Sequence, residues 1–261
     1  MTPAFAFTLV ALGFIGAFVS GLVGVGGAIV MIPLLFYVPP LLSVGSLDIK
    51  MVAGVTMAQV LAASVMGAWT HGRSAMVHRR LALWGGSAMA LGSLAGAVGS
   101  RYVSGHVLLI VFALMATAAL PLMFITPEEL GSGPGAKALR FNRAQAIALP
   151  GAIGVVSGLV GAGGAFLLVP VLVAVMRVPM RLSIGSSLAI VGAGALLGFL
   201  GKLATGQVPL LATAAVVAGS LPGASLGAHL SSRAPVGALR VVLGAVIALA
   251  AARVWLDVVL H

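Results

Sequence analysis

The chain of 261 residues contains no cysteine and only four carboxylates, Asp48, Glu128, Glu129 and Asp257. Without cysteine there can be no disulfide, no thiolate metal site and no thiol redox chemistry. All four acidic residues fall between or beyond the apolar runs. The five histidines, His71, His78, His106, His229 and His261, show no metal-ligand spacing with them. Hydrolytic triads and phosphate-binding loops are also missing, so the sequence points away from an enzyme and names no cofactor.

Charged residues of any kind make up 7% of the chain, whereas hydrophobic residues make up 61% and the mean hydropathy is +1.22. Those proportions describe a multi-span membrane protein, with the lipid bilayer as its solvent. Apolar runs near the length of a membrane helix lie at 51–70, 81–100, 105–125, 183–201, 208–230 and 238–256, and none holds a carboxylate. The net charge of +10 does not read as a nucleic-acid surface. Its Lys and Arg residues are scattered between the runs rather than gathered with aromatics on a polar face. The N-terminal apolar stretch has no preceding Lys or Arg, so it is expected to stay as structure rather than to be cleaved as a signal.

The strongest internal signal is a repeat. "SGLVGVGGAIVMIPLL" (20–35) recurs as "SGLVGAGGAFLLVPVL" (157–172), identical at ten of sixteen positions without a gap. "GSLAGA" (92–97) matches "GSLPGA" (219–224) at five of six positions, and Gly54 and Gly67 map onto Gly185 and Gly198 with a common offset of 131. The chain thus divides into a first repeat (1–125), a polar linker (126–145) and a second repeat (146–261). Each repeat holds a glycine-broken apolar region followed by three plain spans.

Whether the halves point the same way depends on whether the broken region returns to the side it came from. Basic residues decide it, because Lys and Arg concentrate in cytoplasmic loops. With "THGRSAMVHRR" (70–80) inside and both broken regions returning, ten basic residues fall inside against four outside, Lys50, Arg101, Lys202 and Arg253. If the regions cross once, the division is eight to six. The expected fold is therefore an all-α polytopic membrane protein of two inverted-topology repeats, each a re-entrant helix pair plus three transmembrane helices. Both termini are expected on the non-cytoplasmic side of the cell membrane.

A continuous helix over residues 4–38 would be about 52 Å long, too long for one crossing, so a break is required and glycine supplies it. The second arm of such a pair begins with free backbone N–H groups and the positive end of a helix dipole, which suits an anion. Candidate substrate contacts are Gly24, Gly26, Gly27 and Ala28 at the first break and Gly161, Gly163, Gly164 and Ala165 at the second. The two tips are expected to meet near the midplane. The competing use of glycine is close helix packing, which fits "GSLAGA", "GSLPGA" and "GAGALLGFLG" better.

At these residues the sequence resembles the TauE/SafE family of sulfite exporters. The resemblance rests on "GLVGVGGAIVMIP", "GLVGAGGAFLLVP", "QVLAASVMGAWTHGRSAMV" and "GSLPGASLGAHLSSRAPVGALRVVLGAVIALAA", and covers nearly the whole chain. It implies transport of small sulfur-containing anions such as sulfite, thiosulfate or organosulfonates like sulfoacetate. One departure is His78, where the family often carries an acidic residue.

Polar side chains at membrane depth are functional candidates by default. Thr56 and Gln59 lie on the span after the first break, with Ser186 and Ser187 on its partner in the second repeat, and each could donate hydrogen bonds to sulfur oxyanions. Helix-to-helix hydrogen bonding is the alternative for the serines. Gln59 aligns with Ile190, a position where packing needs no amide. His71 and Lys202 occupy equivalent span ends and could attract anions at the two mouths, or simply snorkel. The leading reading is a secondary transporter, most simply an exporter, working by alternating access around the paired breaks. An anion channel and a non-transporting membrane assembly subunit are the alternatives, and a possible homodimer is the only expectation on assembly.

Overall fold

The computed structural model describes residues 1–23, 28–71, 77–125, 142–231 and 236–260. Among them the chain forms ten helices and no strand: α1 (Pro3–Val23), α2 (Ala28–Leu41), α3 (Ile49–His71), α4 (Arg79–Gly99), α5 (Gly105–Ile125), α6 (Arg143–Val160), α7 (Ala165–Ala174), α8 (Met180–Ala204), α9 (Leu210–Ser231) and α10 (Val236–Leu260). Six of the described segments, within α1, α3, α4, α6, α8 and α9, are long and apolar enough to cross a membrane. The polar linker lies outside the described residues except at its end, where the Asn142 side chain accepts from the Ala144 N–H (2.9 Å) and caps α6.

Both apolar regions with glycine-rich centres break, as their lengths require, and the second arms start at Ala28 and Ala165. The first arms are longer than half a bilayer. By a rise of 1.5 Å per residue α1 measures about 31 Å and α6 about 27 Å, whereas α7 measures only about 15 Å. The chain nonetheless turns back after the first. Gly16 of α1 lies against Met31 and Leu34 of α2, and Gly45, beyond α2, lies against the ring of Phe5 at the start of α1.

Contacts at the helix ends define two faces. At the first, α1, α3 and α5 begin and α4 and α8 end: the Lys50 ammonium donates to the Arg101 carbonyl (3.0 Å), Gly105 lies against Ile49, and Lys202 reaches Ser100. At the second, α4, α6 and α8 begin: the His78 N–H donates to Ser186 Oγ (3.1 Å), and the Arg143 guanidinium stacks on the Trp84 ring at 3.8 Å. His78 itself caps α4, its Nδ1 accepting from the Leu81 N–H at 3.2 Å. An acidic residue could fill the same capping role, so the substitution keeps the local structure.

Packing is reciprocal between the halves. α1 lies along α9, and α6, the counterpart of α1, lies along α4. Glycine makes both approaches possible: a Cβ added at Gly219 would stand 2.0 Å from the Val10 carbonyl oxygen, and one at Gly96 2.0 Å from that of Val155. The "GSLAGA" and "GSLPGA" glycines are thus packing glycines, as are Gly194, Gly198 and Gly201 of α8, which press on α4. Where α3 crosses α8, Ser64 meets Gly192 and Met57 meets Gly198. Position rises on one helix as it falls on the other, so these two counterpart helices run in opposite directions.

Candidate functional site

The second break is fully described. Gly161 ends α6 in the left-handed region (φ 82°), and its N–H and that of Ala162 both return to the Ser157 carbonyl, at 2.8 and 3.0 Å. Gly163 and Gly164 are left-handed too, with φ of 63° and 69°, conformations open to glycine and costly for side chains. α7 then begins at Ala165. The N–H groups of Leu167 and Leu168 return to the Gly164 carbonyl, but those of Gly163, Gly164, Ala165 and Phe166 find no acceptor among the described residues. Residues 161–166 are all buried. An unpaired buried donor costs about 1–3 kcal/mol, so four together describe a place built for an acceptor.

This tip packs on α3. A Cβ at Gly161 would overlap the Ala53 carbonyl, and one at Gly163 would stand 2.4 Å from the Val60 side chain. From the start of α3, Ala53 is about 6 Å along the axis and Val60 about 16 Å, so the tip lies between the first turn and the middle of that helix. Thr56 and Gln59 are on the same stretch, both 0% exposed. Thr56 Oγ1 and both polar atoms of the Gln59 amide have no hydrogen-bond partner. Two serines share this condition: Ser157, whose Cβ lies beside Gly164, and Ser93, which faces Gly198 across the α4–α8 contact. Sequence reasoning missed both. Their signal was the repeat, which matches Ser157 with Ser20 and Ser93 with Ser220.

The other expected residues are placed differently. Gly24, Gly26 and Gly27 lie outside the described residues, so the meeting of two tips at the midplane has no counterpart in the described geometry. α2 packs on α1, α3 and α10, while α7 packs on α5, α6 and α8. Ala28 is buried at the head of α2. Ser186 is engaged with the His78 backbone and Ser187 is buried and partnered, so neither offers the unpaired groups that Thr56 and Gln59 do. His71 ends α3, and its side chain lies outside the description.

Lys202 departs most from expectation. It neither snorkels nor stands at a mouth: it is 0% exposed, and its ammonium donates to Ser100 Oγ (2.6 Å), the Leu159 carbonyl (3.0 Å) and Gln207 Oε1 (3.1 Å). Those groups come from the end of α4, the last turn of α6 and the α8–α9 turn. No cluster of three or more potential metal ligands occurs among the described residues.

A helical, multi-pass membrane protein with glycine-broken helices and a buried set of unpaired polar groups is the class these observations define. The model of the sulfite exporter TauE/SafE family matches residues 9–254, and the chain belongs to that family of membrane transporters. It is 26% identical over 229 residues to a "Probable membrane transporter protein YdhB" of Bacillus subtilis (strain 168), covering 85% of this chain and 89% of the relative. It is 30% identical over 226 residues to a "Probable membrane transporter protein" of Xylella fastidiosa (strain 9a5c), covering 85% and 82%. No solved structure gives a significant match.

Proposed function

We propose that the protein is a secondary transporter of the cell membrane that moves small sulfur-containing anions, sulfite, thiosulfate or organosulfonates, without chemical change. The observation that carries this reading is a set of buried, unpaired polar groups: the N–H groups at the start of α7, Ser157 in the last turn of α6, and Thr56 and Gln59 on the stretch of α3 against which the tip packs. A sulfur oxyanion presents several acceptors to such donors at once. Neutral donors favour release as well as binding, which a carrier needs.

Two further observations support alternating access between inverted repeats. The counterpart helices α3 and α8 run oppositely where they cross, and each half lends its first helix to the other half's fourth. Such interlocking lets one group of helices rock against the other around a central site. Five of the described basic residues support the cytoplasmic reading, Arg79, Arg80 and Arg143 at one face and Lys50 and Arg101 at the other. We assign the face that carries Arg79, Arg80 and Arg143 to the cytoplasm, which puts the start of α1 outside.

Purified protein in liposomes is expected to take up labelled sulfite or thiosulfate saturably and to show counterflow when preloaded. Flux that rises linearly with concentration would identify a channel instead. Replacement of Thr56 by Val together with Gln59 by Leu is expected to cut uptake of every anion carried at least tenfold. Full uptake by this variant would remove the α7 site from the pathway.

A further inference from the structure

The break at 161–164 has an electrostatic problem of its own. It joins the C-terminus of α6, where carbonyls concentrate negative partial charge, to the N-terminus of α7, where N–H groups concentrate positive charge. An anion drawn to the second end is repelled by the first. Lys202 stands where this conflict is resolved, with its ammonium on the carbonyl of Leu159, two residues before Gly161.

The hydrogen-bond geometry favours the charged form of that group. Leu159 O and Gln207 Oε1 can only accept, and the Ser100 hydroxyl stands 2.6 Å from the Ala97 carbonyl and 3.0 Å from Gln207 Oε1. An ammonium supplies one N–H to each of its three partners and leaves the Ser100 proton for Ala97 or Gln207. A neutral amine has two N–H groups, and completes the set only if Ser100 turns its proton to Nζ and leaves those two oxygens. Gln207 is held for this task, its amide nitrogen donating to Thr205 Oγ1 at 2.8 Å. All three partners are neutral, and no carboxylate salt bridge to Lys202 occurs among the described residues. A buried cation normally has a counter-ion; this one has none among the described residues.

We propose that the missing counter-ion is the transported anion, and that Lys202 makes the α7 site selective for doubly charged over singly charged sulfur oxyanions. The inference rests on the anion site described above and extends it to specificity. Lys202 does not touch the anion, since its three protons are already engaged. It acts by reversing the field of the α6 terminus and by leaving the empty site one positive charge in excess, which a dianion offsets more completely than a monoanion. Lys50 lies on the same side, with the Asp48 carboxylate accepting from its backbone N–H (3.2 Å). Its ammonium holds the carbonyl of Arg101, the residue next to Ser100. The first repeat carries His71 at the position equivalent to Lys202.

The test compares thiosulfate with methanesulfonate, two small tetrahedral sulfur anions of charge two and one, in liposomes containing the full-length protein. The wild type is expected to show a higher kcat/KM for thiosulfate. Lys202→Met is expected to lower thiosulfate kcat/KM at least tenfold, mainly through KM, and to change methanesulfonate less than threefold, while Lys202→Arg restores the preference. Equal losses for both anions in Lys202→Met, or an unchanged ratio, would overturn the proposal by reducing Lys202 to a structural tie. Should Lys202→Met not fold, the wild type still decides, because carriage of both anions without preference for thiosulfate overturns the charge role alone. Uptake of neither anion by the wild type overturns the anion site and this inference together.

Discussion

Gln59 shows how a residue can be costly to the fold and still be kept. Its amide is 0% exposed and makes no hydrogen bond with either polar atom, although leucine would fill similar space without that penalty. Removing an unsatisfied buried polar group while keeping its volume is neutral to stabilising, by about 1–3 kcal/mol at most. Gln59→Leu is therefore expected to leave the thermal unfolding midpoint in detergent unchanged or raised, while uptake falls. A lowered midpoint would show that the amide pairs with a protein group and belongs to the scaffold. Ser100 is the contrasting case. Equally buried, it is paired with Lys202, Gln207 and Ala97, so Ser100→Ala should destabilise by about 1–3 kcal/mol.

At the scale of elements the governing fact is that α6 must approach α4 and α3 closely enough to set its broken end between them. A Cβ added at Gly158 would stand 2.1 Å from the Ser93 carbonyl oxygen, and one at Gly154 would stand 2.5 Å from that of Met89. Gly158→Ala is expected to cost about 1–3 kcal/mol by forcing the helices apart, and to displace Ser157 and the tip with them. Gly206→Ala is the control. Gly206 has a left-handed φ of 72° with open space where a Cβ would go, so only the conformational cost of about 1–2 kcal/mol applies and transport should survive. The break before α7 and the spans of α3, α4, α8 and α9 were legible in the sequence because they depend on spacing and length, which a linear pattern carries. The pairing of Lys202 with Ser100 and Leu159 was not legible, since those partners stand 102 and 43 residues away and nothing local distinguishes a buried lysine at a span end from a snorkelling one. Ser93 and Ser157 were hidden in the same way. Each sits inside a glycine motif that packing already explains, and only the placement of α8 and α7 around them leaves their hydroxyls without partners.

For the whole molecule, the decisive property is the direction in which the second half runs. The contacts at the helix ends place the start of α1, the α4–α5 connection and the end of α8 at one face, and the start of α6 at the other. Were the halves arranged in the same sense across the membrane, the end of α8 would lie opposite the α4–α5 connection. Because the chain contains no cysteine, single cysteines can report the difference without prior removal of native thiols. Ala4, Ser104, Ala144 and Ala204 are all exposed. Ala4→Cys, Ser104→Cys and Ala204→Cys are expected to react with a membrane-impermeant maleimide added to intact cells, and Ala144→Cys only after the cells are opened. Labelling of Ala204→Cys together with Ala144→Cys would refute the opposed arrangement and separate Lys202 from the face that carries Lys50. Labelling of Ala144→Cys alone in intact cells would keep the opposed halves but reverse their orientation, and the basic cluster of Lys50 and Arg101 would then receive its anion from the cytoplasm.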